Sequence, residues 1–387
     1  MQPFQFASVP SIIFGQSVAD AISNFCQIRQ ISRVLLITDA NIVGLGLASA
    51  LLAQLESINV SVVVFADVEA DPCETTVLRA TETATVHKAQ LVVGFGGGSS
   101  MDVAKVVAVL SLSSCEQTLA NLYGVDNVLG GRLPLILVPT TAGTGSEVTP
   151  ISIITTGGTT KAGIVSNKLL ADAAILDPQL TIGLPPAISA ATGIDAMVHA
   201  IEAFTSRIKK NPISDGLALN ALTKLSKNIR TVVLKGDDLS ARGAMLLGSL
   251  LAGQAFANAP VGGVHALAYP LGGHFHIPHG LSNALMLPHV LSFNLDSAVD
   301  LYAQLADVVC DDLERNFTRQ QKAQHLIHHL RSLIVDLGLP TRLRECGVGL
   351  DSLPQLAKDA MAQQRLLINN PIEIDYQAAL SIYQKAF

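Results

Sequence analysis

Around Leu184-Pro185-Pro186 the sequence changes texture, and no other feature limits its fold so sharply. On the N-terminal side, short β-branched runs alternate with longer segments of helical apolar spacing, the pattern of parallel βαβ units. The strands expected are Val34–Thr38, Val60–Phe65, Leu91–Phe95, Leu135–Val138 and Ala174–Leu176, and helices are expected over Gly46–Ile58, Thr75–His87 and Met101–Leu112. On the C-terminal side β-branched runs nearly vanish, and Ala187–Thr205, Ser214–Leu234, Ser240–Phe256 and Gln320–Leu337 repeat at helical period. Single cores stop growing at roughly 250–300 residues, so a chain of 387 is expected to divide. The expectation is a doubly wound α/β domain over residues 1–186 and an all-α domain over residues 187–387, packed together with a ligand cleft between them.

With 49% hydrophobic and 14% charged residues the chain can bury large cores, which excludes wholesale disorder and predicts a soluble globular protein. A net charge of -6 without a basic run excludes a nucleic-acid footprint and leaves a small molecule as the expected partner. The five cysteines, Cys26, Cys73, Cys115, Cys310 and Cys346, form no CxxC pair and read as reduced thiols of a cytoplasmic protein. Neither a signal peptide at Met1–Phe6 nor an apolar stretch of the roughly 20 residues a membrane span needs is visible.

Leu91–Phe95 runs into Gly96-Gly97-Gly98-Ser99-Ser100 and then a helical pattern. A strand, a glycine turn and a helix N-terminus present backbone N–H groups to a phosphate. Alone, the same residues read equally as a tight turn. A second loop, Pro139-Thr140-Thr141-Ala142-Gly143-Thr144-Gly145-Ser146-Glu147-Val148-Thr149, opens from Leu135–Val138 at the strand end where open α/β sheets bind ligands. Asp39, after Val34–Thr38, suits a ribose 2′-hydroxyl or, as the plainer alternative, a helix cap.

Asp195 and His199 stand at i, i+4 on one helical face, which by itself suits a packed core as well as a ligand pair. Four further histidines, His265, His274, His276 and His279, crowd into fifteen residues among apolar neighbours, a density that packing does not explain. Three imidazoles with one carboxylate suit a divalent ion such as Fe(II) or Zn(II), and the lack of thiolate argues against a structural zinc site.

Taken together, these segments resemble the iron-containing (group III) alcohol dehydrogenases along essentially the whole chain. The resemblance rests on Gly96-Gly97-Gly98-Ser99 with Asp102 and Lys105, the Pro139–Glu147 loop, Gly193-Ile194-Asp195 with His199 and Glu202, and Pro278-His279-Gly280. It implies a Rossmann-like N-terminal domain and a helical C-terminal domain, the architecture shared with dehydroquinate synthase. It further implies a metal held by Asp195, His199, His265 and His279, with Fe(II) ahead of Zn(II). NAD is implied at Asp39, Gly96, Gly97, Gly98, Ser99, Asp102, Thr140, Thr141, Thr144 and Lys161. A homodimer is also implied, with Phe4–Phe14 as an edge strand between subunits. Two positions depart from the family pattern: Tyr269 stands where many members have a second histidine, and Asp71-Pro72 where they have Asn-Pro. Tyr269 and His274 are therefore the candidates for proton transfer.

The activity implied is hydride transfer between a small alcohol or aldehyde and NAD, with the metal as Lewis acid toward the substrate oxygen. Alternatives are an NAD- and metal-dependent cyclase resembling dehydroquinate synthase, a glycerol dehydrogenase, and a non-enzymatic nucleotide sensor, which would have no use for the metal set. Tyr269, His274 and His276 suit a polar alcohol pocket, or else the two histidines are exposed loop residues.

Overall fold

The computed structural model describes residues 3–157 and 160–387, and these divide into two compact units. The first spans Ala7–Thr141 and Gly145–Thr181; the second comprises residues 3–6, Ala142–Thr144 and Ile182–Phe387. The chain thus divides after Thr181 rather than after Pro186. Arg242 explains the shift, since its guanidinium donates to the carbonyls of Ile182 and Leu184 and so ties this lead-in segment to the helices.

Among the described residues nine strands form in the first unit: β1 (Ile12–Phe14), β2 (Arg33–Ile37), β3 (Ser61–Phe65), β4 (Leu91–Gly96), β5 (Gly124–Val125), β6 (Leu135–Pro139), β7 (Ile151–Thr156), β8 (Thr160–Val165) and β9 (Ala173–Leu176). Six of them make one wholly parallel sheet in the order β1-β9-β6-β4-β2-β3. The strands β4, β6 and β9 are buried throughout, as parallel strands covered on both faces must be. Helices α1 (Val18–Arg29), α2 (Ala40–Gly44), α3 (Ser49–Ser57), α4 (Glu74–His87) and α5 (Gly98–Leu110) lie between the strands, followed by a short α6 (Leu119–Leu122). From β2 the chain moves outward to β3, whereas from β4 it moves the other way to β6. The order therefore reverses between β2 and β4, the place where doubly wound sheets bind ligands.

Three differences from the expected elements have local causes. Helix α3 begins at Ser49 because Gly46 takes a left-handed φ of 67°, which breaks the expected Gly46–Ile58 helix into a turn and a shorter helix. Only Ile12–Phe14 of the Phe4–Phe14 stretch forms a strand, paired with β9 at the sheet edge. A second sheet, β5-β8-β7, was not anticipated; β7 and β8 pair antiparallel without an intervening helix and so fall outside the βαβ alternation.

The second unit is helical among the described residues: α7 (Pro186–Thr205), α8 (Pro212–Leu234), α9 (Leu239–Asn258), α10 (Gly263–Phe275), α11 (His279–Val309), α12 (Arg319–Asp336), α13 (Leu353–Ala360), α14 (Gln364–Leu367) and α15 (Tyr376–Ala386). Helix α7 starts with proline at its first position, where no N–H is needed, and is buried along nearly its whole length from Ser189 onward. Among the described residues no single helix is long and apolar enough to cross a membrane.

Candidate metal centre and nucleotide cradle

Helix α7 carries Asp195 and His199 on one face, α10 carries His265 in its first turn, and α11 opens with His279 directly after Pro278. Gly280 lets that helix start seat itself, because a Cβ there would collide with the Ala191 carbonyl of α7. One ligand atom from each of Asp195, His199, His265 and His279 then lies within 4.8 Å of the others. The Asp195 carboxylate oxygen is 3.6 Å from His279 Nε2 and 3.8 Å from His265 Nε2. Donors bonded at about 2.1 Å to one tetrahedral ion stand roughly 3.4 Å apart, so a small contraction suffices.

The protonation states suit a cation. Burial pushes the His199 imidazolium down to about 3, and His265 and His279 act in the same direction against Asp195. The His199 Nδ1–H faces the Gly143 carbonyl at 3.2 Å, leaving the Nε2 lone pair for a ligand bond. Burial opposes ionisation of Asp195, but His199, His279 and His265 together with the Asn283 amide hold it below the usual carboxylate range. Asn283 Nδ2 donates to Asp195 at 2.6 Å and also stands 3.2 Å from His265 Nε2 and 3.3 Å from His279 Nε2. An amide nitrogen facing three converging acceptors marks where a cation's ligands point, and the donor set fits a divalent ion.

Two supporting residues escaped the sequence reading of roles. Glu202, one turn after His199, accepts from the Val264 amide and from His265 Nδ1, both at 2.6 Å, so it fixes the tautomer of that imidazole. Asn283, four residues after His279, orients Asp195. Their helical spacing from recognised ligands was the available signal.

Tyr269 lies one helical turn beyond His265, with its ring 6.4 Å from that of His265 and 5.8 Å from that of His279. His274 does not join them. Nine residues from His265 is a rotation of about 180° on an α-helix, and its Nε2 is bonded to Asp359 at 2.6 Å. His276 is exposed in the left-handed residue that ends α10. His274, paired with Asp359, and His276 are both exposed, which is the plainer of the two readings of these histidines.

In the sheet unit, β4 ends at Gly96, whose φ of 152° and contact with Ser100 leave no room for a Cβ. Gly97 then caps α5 without a side-chain bond, so no cap side chain engages the first-turn amides at the positive dipole end. Gly97, Gly98 and Ser99 are half-buried, and a Cβ on Gly97 would find only Thr141 at 3.9 Å. Across the reversal, Asp39 Oδ1 accepts from the Asn41 and Ile42 amides at 2.9 and 3.2 Å. Its other oxygen lies 3.6 Å from where a Cβ on Gly96 would stand. Asp39 is thus a helix cap with one oxygen turned toward the glycine turn. Thr140 is buried and Thr141 half-buried, while Thr144 belongs with the helical unit.

Asp102 and Lys161, expected at the cofactor, are engaged by other side chains, Asp102 part-buried and Lys161 in a surface ion pair. Asp102 Oδ1 accepts from Ser146 and Lys105, and its Oδ2 from the Ile153 amide. Lys105 is fully buried and also donates to Ser146, Thr149 and the Ile151 carbonyl. Lys161 pairs at 2.6 Å with Asp71, the residue that departs from the family's Asn.

A glycine turn at the reversal of a parallel sheet and an Asp/His₃ cluster among helices suit the class of metal- and dinucleotide-dependent enzymes. The models for iron-containing alcohol dehydrogenase and for the C-terminal part of the Fe-containing alcohol dehydrogenase family match residues 10–178 and 189–387, and the chain belongs to that family. It is an oxidoreductase acting on CH–OH groups. Long-chain-alcohol dehydrogenase 1 of Geobacillus thermodenitrificans (strain NG80-2) is 42% identical over 356 residues, 92% of this chain and 89% of that one. A solved 1,3-propanediol oxidoreductase superposes with a TM-score of 0.95 at 33% identity over the whole of both chains. Sulfoacetaldehyde reductase from Bifidobacterium kashiwanohense, solved in complex with NAD+, gives a TM-score of 0.88 at 29% identity over 100% and 99% of the two chains.

Proposed function

We propose that the protein interconverts a small alcohol and its aldehyde with NAD as cofactor and Fe(II) in the Asp195, His199, His265 and His279 set. The observation that carries this reading is the convergence of those four donors within 4.8 Å. Iron supplies Lewis-acid polarisation of the substrate oxygen, and NAD supplies the hydride acceptor. Glu202 and Asn283 hold His265 and Asp195 in place, so the donors need little reorganisation. Gly97, Gly98 and Ser99 hold the pyrophosphate through helix amides, Thr140 and Thr141 line the same cofactor, and Asp39 accepts from the adenine-side ribose. Asp102 and Lys161 act by positioning. A homodimer joined along the outer edge of β1 suits the exposure of Ile12 at 40% and Phe14 at 47%, and the unpaired cysteines suit a cytoplasmic protein.

In this reading Tyr269, whose ring lies 5.8 Å from that of His279, carries the substrate proton. Tyr269→Phe is expected to move the pH profile of turnover while metal content stays unchanged, and His274→Ala to move neither. Steady-state kinetics of the iron-loaded protein with a panel of alcohols and aldehydes, NAD and NADP, give the test. No net NADH formed from any alcohol, or identical profiles for Tyr269→Phe and wild type, would overturn the respective assignment.

A further inference from the structure

A second set of metal-ligating side chains lies elsewhere in the helical unit. Cys310 follows α11 directly, Asp312 stands two residues on, and His325 and His329 sit at i, i+4 on one face of α12. One ligand atom from each lies within 4.8 Å of the others. The Asp312 carboxylate oxygen is 2.9 Å from His325 Nε2 and 3.8 Å from His329 Nδ1. An ordinary ion pair accounts for Asp312 with His325. It leaves unexplained why a second imidazole and a buried thiol turn to the same point.

We propose that Cys310, Asp312, His325 and His329 form a zinc-binding site, separate from the catalytic set and serving to clamp the end of α11 to α12. A thiolate, two imidazoles and a carboxylate are each zinc ligands, and four of them complete a tetrahedral shell, the arrangement of a structural rather than a catalytic site. Thiolate also separates this site from the all-N/O catalytic one: softer donors favour zinc over iron. Binding replaces the S–H bond of Cys310 by an S–Zn bond and releases the proton to water, with no change of oxidation state. Asp312 keeps 66% of its side chain exposed, which opens a route for the ion, and Asp307 and Asp311 add negative charge near Cys310.

Cobalt(II) distinguishes the two sites, because only this one offers sulfur. Full-length protein titrated with Co(II) should develop a sulfur-to-cobalt charge-transfer band together with tetrahedral visible bands. Asp195→Ala should keep the band. Cys310→Ser should lose it, and His329→Ala, which removes a partly exposed ring, should weaken cobalt binding read through it by about tenfold or more. Zinc should displace the cobalt and raise the melting temperature of Asp195→Ala protein, but not when Cys310→Ser is added. A wild-type titration without the band, a band that survives Cys310→Ser, or His329→Ala binding with unchanged affinity would each overturn the site.

Discussion

At Asp39 one carboxylate oxygen accepts two amides of α2 while the other faces the glycine turn, so a cap and a ribose contact are compatible in one side chain. Replacing Asp39 by glycine disturbs both, whereas Asp39→Asn keeps an oxygen for the cap and removes the charge. NADP would bring a phosphate against that charge. Two like charges about 4 Å apart at an effective dielectric near 20 repel by roughly 4 kcal/mol, an upper bound of about a thousandfold in selectivity. Asp39→Asn should therefore raise kcat/KM for NADP relative to NAD, mainly through KM, with the melting temperature unchanged. An unaltered cofactor ratio would leave Asp39 as a cap only. Residues of this kind show what a sequence discloses. The convergence of Asp195, His199, His265 and His279 was legible because ligand chemistry restricts residue type and helical spacing restricts direction. Glu202 and Asn283 act through hydrogen bonds to other side chains, which spacing alone does not announce. The surroundings of His274 were not legible, because local histidine density says nothing of the face from which each ring leaves its helix.

At the scale of elements, the start of α5 and the loop after β6 are joined by a buried polar node. Lys105 reaches Asp102, Ser146, Thr149 and the Ile151 carbonyl from inside the protein. Next to it, burial pushes the Glu147 carboxyl from the usual 4.5 up to about 7, against the Lys105 ammonium, and its Oε1 has no partner among the described residues. The folded protein therefore keeps a proton on Glu147 that the unfolded chain releases above about pH 4.5. This group's contribution to stability is full below pH 4.5, declines as pH rises, and is lost above about 7. At about 1.4 kcal/mol per pH unit the decline is on the order of 3 kcal/mol. Glu147→Gln should flatten this part of the pH–stability curve, as urea melts at pH 5 and pH 8 would show; equal slopes in wild type and variant would remove Glu147 from the account. The elements themselves were legible where burial is uniform. Strands β2, β4, β6 and β9 read as apolar runs, whereas β5 is two residues long and β7 and β8 alternate without the flanking helices that define a βαβ unit. Likewise α5 begins at Gly98, ahead of the apolar pattern, because its first turn is made of a glycine and two serines that carry no apolar signal.

At the scale of the whole molecule, the four proposed metal ligands all belong to the helical unit, while Gly97, Gly98, Ser99, Thr140 and Thr141 belong to the sheet unit with its own hydrophobic core. Loss of the metal should then leave the sheet and its cradle folded. Asp195→Ala removes the one anionic ligand and leaves three imidazoles, of which His199 is held neutral by burial, so the empty variant gains no uncompensated buried charge from that ring. Its fold should persist and its metal affinity should collapse. In wild type a metal at a hundred times its Kd stabilises the native state by about 2.7 kcal/mol. At roughly 2–4 °C per kcal/mol for a unit of 150–250 residues, this is a rise of about 5–10 °C in the melting of the helical unit. Iron should produce that rise in wild type and not in Asp195→Ala, whereas titration with NADH should give the same Kd within about twofold for both proteins. Metal analysis, differential scanning calorimetry and NADH fluorescence on the two proteins supply the comparison. Turnover by metal-free Asp195→Ala would remove the ligand assignment, and loss of NADH binding in step with the metal would show that the cradle depends on the helical unit's metal.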